Sequence, residues 1–158
     1  MKAMVVYDSV HGNTEQVARA VARALGAPET ETRRAKDIRS EELTGLDVLV
    51  VGAPTHAFRP SPDAREFLKR IPSDGLKGVK VAAFDTRISI EDTGSGIFAF
   101  FVRFFGYAAK PIARRLEKKG ADLALPPEGF YVEGTEGPLK EGELERAAAW
   151  ARPLAAER

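Results

Sequence analysis

The amino-acid sequence predicts an α/β protein built on a five-stranded parallel sheet with helices on both faces. Three observations carry that expectation. Lys2–Asp8, Leu46–Ala53 and Gly78–Phe84 are apolar on consecutive residues, as strands buried from both sides require. Between such runs lie stretches in which apolar residues recur with a period near 3.6. No repeat and no linker divides the 158 residues. The chain therefore reads as one domain, 1–158, able to withdraw roughly 70% of its unfolded surface from water.

Taken in order, Lys2–Asp8 is a central strand. The helix after it, Glu15–Leu25, sets Val17, Val21, Ala24 and Leu25 on one side and Arg19 and Arg23 on another. Gly26 ends it and Pro28 confirms the stop. Glu29–Ala35 is polar and reads as a short edge strand, whose alternating charges discourage pairing with another chain. A turn or helical segment is expected near Ser40–Leu43. Leu46–Ala53, LDVLVVGA, is the second core strand. At Ser61-Pro62 a serine cap precedes a proline in the first helical position, and Phe67, Leu68 and Ile71 form the apolar face that follows. Gly78–Phe84 is the third core strand, with Asp85-Thr86-Arg87 opening the loop beyond.

Five of the nine phenylalanines then fall between Phe98 and Phe105, and Phe98, Phe101 and Phe105 share a helical face. So wide an apolar surface needs a cover. Ala109–Lys119 is a helix carrying Arg114, Arg115, Lys118 and Lys119, a basic run expected on a solvated face. Ala121–Leu125 and Phe130–Val132 flank Pro126-Pro127-Glu128-Gly129. They read as a last strand that is interrupted or bulged, because proline cannot donate to a ladder. Thr135–Pro138 is a turn. Glu143–Ala155 closes the chain, with Leu144, Ala147, Ala148, Trp150 and Ala151 on its buried side and Pro153 expected to kink or end it.

Composition removes several classes of function. A formal charge of +1 gives no overall reason to bind nucleic acid, and it lacks the acidity that steers many small electron carriers toward basic partners. Cysteine is absent, which excludes disulfides, thiolate catalysis and cysteine-held metal clusters. With His11 and His56 as the two histidines, a zinc site would need carboxylates for its other ligands; no metal site is expected. Neither a secretory leader nor a membrane span is legible, so a cytoplasmic location is the expectation.

The chemistry concentrates where the first strand ends. Ser9-Val10-His11-Gly12-Asn13-Thr14 passes from strand to helix at once, which gathers free backbone N–H groups and the hydroxyls of Ser9 and Thr14 around one concavity. That is a site for an oxyanion, most naturally a phosphate. The loop has no lysine or arginine, so neutral donors and the helix N-terminus would do the holding. It lacks the first glycine and the lysine of G-x-x-x-x-G-K-[ST], and of G-x-G-x-x-G it has only Gly12. Nor do other α/β enzymes fit. Ala53-Pro54 stands where a receiver domain needs an aspartate, a low-molecular-weight phosphatase needs a cysteine, and Thr93-Gly94-Ser95-Gly96 misses the G-x-S-x-G elbow. In a parallel sheet the loops after Asp8, Ala53 and Phe84 rise side by side. The second offers a hydroxyl, an imidazole and an aromatic ring between prolines, and the third brings Asp85, Thr86 and Arg87 to the mouth.

The loop resembles the flavodoxin phosphate loop, [ST]-x-[TH]-G-N-T after an apolar strand ending in tyrosine. Ser9, His11, Gly12, Asn13 and Thr14 match it, Val10 fills its variable position, and Ala18 matches the small residue on the next helix. The resemblance implies a flavodoxin-like three-layer sandwich with strand order 2-1-3-4-5 and flavin mononucleotide (FMN) at the carboxyl ends of the strands. It places Pro54, Thr55, His56, Ala57 and Phe58 in the first ring-flanking loop. There Thr55 would face the ribityl chain, and Phe58 or His56 would stand where the family often has a large apolar side chain. Asp85, Thr86 and Arg87 fall in the second such loop, whose backbone N–H groups would meet the pyrimidine edge of the flavin. The family's G-D-x-x-Y is absent. The function implied is an FMN-binding redox protein, an electron carrier serving a redox partner protein or a small electron acceptor. An FMN-dependent reductase of quinones or similar acceptors, and a cofactor-free interaction module, are the alternatives. Cover for the Phe-rich stretch 97–105 would be the sheet, the flavin, or a second subunit in a homodimer. Arg59 and Arg87, set against Asp85, are expected to make the reduction potential less negative than in strongly acidic flavodoxins.

Overall fold

A computed structural model describes residues 1–56, 59–89, 96–97 and 106–156. Strand β1 (Lys2–Tyr7) leads into helix α1 (Asn13–Leu25), strand β2 (Glu29–Arg34) and two short 3-10 turns, Ala35–Asp37 and Ser40–Leu43. Then come β3 (Val48–His56), the two-residue β4 (Arg59–Pro60), α2 (Pro62–Arg70) and β5 (Lys80–Ile88). Helix α3 (Ala109–Lys118), strands β6 (Asp122–Leu123) and β7 (Glu128–Val132), and α4 (Glu143–Ala156) complete the order.

The sheet runs β2-β1-β3-β5-β6, all parallel, with β7 also paired to β5 and β4 antiparallel to the end of β3. The fifth position is thus one strand in two pieces, as the proline interruption predicts: β6 pairs Lys80–Val81 and β7 pairs Phe84–Ile88. Counting those pieces as one gives order 2-1-3-4-5. Alternation along the strands sorts the core into two layers. Met4, Val6, Leu49, Val51, Val81 and Ala83 meet Phe67, Leu68, Ile112 and Leu116 of α2 and α3. Ala3, Val5, Val48, Val50, Ala82 and Phe84 meet Val17, Val21, Leu25, Ala147, Ala151 and Leu154 of α1 and α4. In the second layer Phe84, Phe130 and Trp150 pack edge to face with centroids 5.9–6.2 Å apart. Gly52 leaves room for that cluster, since a Cβ there would enter the Phe84 ring.

Four expectations need correction. Pro54, Thr55 and His56 lie in β3, not in a loop; β1 pairs no further than Gly52, so the missing N–H of Pro54 is tolerated at the freed edge. Asp85, Thr86 and Arg87 likewise belong to strand β5, because β7 extends the ladder to Ile88. Ser61 occupies the N-cap position of α2 but its hydroxyl caps nothing; it is buried without a partner, while the Ser61 carbonyl accepts from Arg65 N–H. Helix α4 continues through Pro153 to Ala156. The proline frees the carbonyl of exposed Ala149, which water can satisfy. Its fully buried positions are Ala147, Ala151 and Leu154, with Ala148 only half-buried.

Helix α4 is fastened to β7 by polar contacts as well. The Glu143 carboxylate accepts from Tyr131 N–H (2.7 Å) and from Nε and Nη2 of Arg146 (2.9 and 2.7 Å). Burial alone would raise this carboxyl; Arg146 and the Tyr131 N–H outweigh it and hold it below the ordinary glutamate value. The folded protein therefore binds this proton less readily than the unfolded chain. The stability it contributes is present above the ordinary glutamate range and is lost as pH falls through the lowered value. With Arg146 38% exposed, Glu143→Gln is expected to cost about 1–2 kcal/mol at neutral pH. That gap to wild type should close in denaturant titrations as pH falls below the ordinary glutamate range. A gap that persists at the acid end contradicts the assignment.

Candidate functional site

At the carboxyl ends of β1, β3 and β5 lies a cleft of about 150 Å³. Ser9, Val10, His11, Asn13, Thr14, Pro54, Thr55, Thr86 and Arg87 line it, together with Ile88, Val132 and Thr135. It forms where β1 stops at Tyr7 while β3 and β5 run on, so the following loop turns over their exposed ends. Gly12 makes that turn with φ of +91°, a left-handed conformation that side chains rarely adopt. A Cβ there would meet nothing within 4 Å, so backbone conformation, not space, asks for glycine.

The loop is tied down from inside. Gly12 N–H donates to Ser9 Oγ at 3.0 Å. Asn13 Nδ2 donates to the Glu136 carbonyl at 3.1 Å, which draws the Thr135 turn against the cleft. Gly137 allows this approach, since a Cβ there would strike the Asn13 side chain. Helix α1 starts at Asn13, so the N–H groups of its first turn have no intrahelical acceptor and face the concavity. Thr14 Oγ1 lies 2.8 Å from Thr86 Oγ1, and both residues are buried. One of these hydroxyls donates to the other, which leaves the second proton free for a ligand. Val10, 64% exposed, stands at the rim of the cleft.

The opposite wall is organised by a buried ion pair. Asp85, fully buried, accepts from Arg87 Nε and Nη2 at 2.6 Å each and from Ala109 N–H at 2.9 Å. Burial pushes its carboxyl up, against the pull of Arg87 and the Ala109 N–H. The Arg87 guanidinium stacks on Tyr107 at 3.7 Å from the ring centroid and packs on Gly129, where a Cβ would collide with it. Arg87 is therefore no free cation. Thr55 Oγ1 accepts from Ala108 N–H at 3.2 Å, which leaves its own proton available.

Of the residues expected at the site, Ser9 to Thr14, Pro54, Thr55, Thr86 and Arg87 come together, while Asp85 lies beneath them as a support. His56 ends β3; Ala57 and Phe58, like Phe98 to Phe105, lie outside the described residues. Sequence inspection missed Ile88, Val132 and Thr135. It also missed Arg34, which stands beside Tyr7 in the β1–β2 ladder and donates to the Ser9 carbonyl at 3.1 Å. A cation thus braces the loop from below, at a position readable once β2 is paired in parallel with β1.

The donor set suits a phosphate. It offers open N–H groups at a helix start and threonine hydroxyls, and no carboxylate lines the cleft among the described residues. The comparisons agree with this chemistry. A family model described as a flavodoxin domain matches residues 4–96. Flavodoxin 1 of Salmonella typhimurium is 25% identical over 136 residues, covering 84% of this chain and 72% of that protein. Oxidised Flavodoxin 1 from Bacillus cereus superposes with a TM-score of 0.77 at 19% identity, over 100% of this chain and 99% of that one. A flavodoxin from the domain Archaea does so at 0.76 and 20%, covering 98% and 96%. The family match spans well over half the sequence, from β1 past the end of β5, and the chain belongs to the flavodoxin family, whose cofactor is FMN.

Proposed function

We propose that this chain is an electron carrier that holds FMN by its phosphate in the Ser9–Thr14 loop. The isoalloxazine would lie between the Pro54–Phe58 segment and the end of β5. One observation carries this reading: the cleft at the strand ends joins a helix start, a buried hydroxyl pair and an apolar wall, and among the described residues no carboxylate lines it to repel an anion. Bound FMN would supply the electron chemistry. The chain's own residues bind and orient it. Thr14 and Thr86 share one hydrogen bond and would offer the remaining hydroxyl proton to the phosphate; Thr55 would turn its free proton to the ribityl side; Ile88 and Val132 would exclude water. The ladder engages the backbone of Asp85 and Thr86, so Thr86 would address the ligand through its side chain while Asp85 supports the wall from beneath.

The ion pair changes the expectation for the potential. Arg87 is neutralised by Asp85, so of the two arginines expected to raise the potential only exposed Arg59 would act as a net cation. Turnover of quinone with a reduced nicotinamide at enzymatic rates would favour the reductase alternative instead.

Isothermal titration of the apoprotein should give FMN an affinity at least about a hundredfold above that of riboflavin, as two to three charge-assisted bonds would supply. Equal affinities contradict a phosphate-centred site. Thr86→Val should weaken FMN about tenfold, one hydrogen bond's worth, and leave riboflavin unchanged, with Thr86→Ser restoring the loss. Equal weakening of both flavins would mean that Thr86 merely packs.

A further inference from the structure

Helix α3 carries a dense run of cations. Several arginines elsewhere are paired, Arg19 with Glu15, Arg33 with Glu31 and Glu42, Arg87 with Asp85, and Arg146 with Glu128 and Glu143, whereas exposed Arg23 and Arg152 stand without a carboxylate partner among the described residues. The segment Lys110–Lys119 carries Lys110, Arg114, Arg115, Lys118 and Lys119 against Glu117 alone. Among the described residues none of these five side chains has a carboxylate partner. Lys110, Arg114 and Lys118 are exposed at intervals of four residues, one stripe opposite buried Ile112, Ala113 and Leu116.

Helix stability does not account for the stripe. Cations in the last turn suit the helix dipole, but Lys110 sits in a first turn that has no acidic residue, against it. The stripe also begins at the candidate site. Ala108 N–H donates to Thr55, Ala109 N–H donates to Asp85, and α3 packs beside β4, where exposed Arg59 adds a further cation without a carboxylate partner among the described residues.

We propose that Lys110, Arg114 and Lys118, with Arg59, form the docking surface for an acidic redox protein that exchanges electrons with the carrier. This rests on the carrier reading above. It gives the chain a polarity opposite to that of a strongly acidic carrier. The partner's carboxylates would meet the stripe, steering encounter and setting the partner beside the cleft. A protein fits better than the other polyanions. The ten-residue helix is about 15 Å long, its stripe shows neither an aromatic ring for stacking on bases nor an apolar side chain for entering a bilayer, and the chain's net charge is only +1.

The test is stopped-flow oxidation of a reduced, acidic plant-type [2Fe–2S] ferredoxin by the FMN-loaded protein, from about 20 to about 500 mM salt. Basic cytochrome c, reduced by the flavin-reduced protein, serves as the opposite probe. Wild type should lose about tenfold in rate with ferredoxin as salt rises, and gain or hold with cytochrome c. Lys110→Glu/Arg114→Glu/Lys118→Glu should abolish or reverse the ferredoxin slope, with FMN affinity and Tm unchanged. The milder Lys110→Gln/Arg114→Gln should halve the slope even if the triple variant folds poorly. Arg23→Glu/Arg152→Glu, on the opposite side, should leave it unchanged. Slopes alike in wild type and stripe variants overturn the proposal. So does salt-sensitive, stripe-dependent binding to a single-stranded oligonucleotide or to phosphatidylserine vesicles while the ferredoxin rate stays indifferent. Failure to load FMN refutes the carrier reading and this proposal with it; loading without stripe-dependent kinetics refutes the proposal alone.

Discussion

The Asp85–Arg87 ion pair is the contact on which the far side of the cleft depends. Two charges withdrawn from water are costly unless geometry and further hydrogen bonds compensate, and removing one partner from such a pair typically costs about 3–5 kcal/mol. Here both carboxylate oxygens are engaged by one guanidinium, and a third donor comes from Ala109 at the start of α3. The same guanidinium lies on Tyr107 and Gly129. One pair thus joins β5, β7, α3 and the segment before it.

That arrangement determines the electrostatics of the ligand site. Had Arg87 been free, it would have been the natural cation for an anion in the cleft. Engaged by Asp85, it would leave a phosphate in the proposed site to backbone N–H groups, the Thr14–Thr86 pair and the dipole of α1, with Arg34 one step behind on the Ser9 carbonyl. Neutral donors fixed by backbone geometry select shape and charge together.

Much of this was legible in the residues. The parallel sheet followed from both-face apolar runs, the broken fifth strand from Pro126-Pro127, and the concave turn at Ser9–Thr14 from a strand that passes at once into a helix. What escaped was non-local. Nothing within Phe84–Ile88 says that the strand continues, because its partner is Glu128–Val132, some forty residues on. Arg34 reads as an edge-strand charge until β2 is set beside Tyr7. Ser61 carries the signature of a cap, yet packing buries its hydroxyl instead. Proline in α4 was overridden by its place near the end of the helix, where one lost bond faces water.

The central claim is that a phosphate dianion is held by neutral donors in the Ser9–Thr14 loop. Phosphorus-31 NMR of the FMN-loaded protein tests it most directly. Free phosphate monoesters lose their second proton near pH 6, whereas a site of N–H and hydroxyl donors, with no carboxylate lining it among the described residues, favours the dianion throughout. The account predicts a single bound resonance whose shift stays constant from about pH 5 to about pH 8. A bound resonance that titrates like free FMN would contradict it, and would place the phosphate in solvent outside the loop.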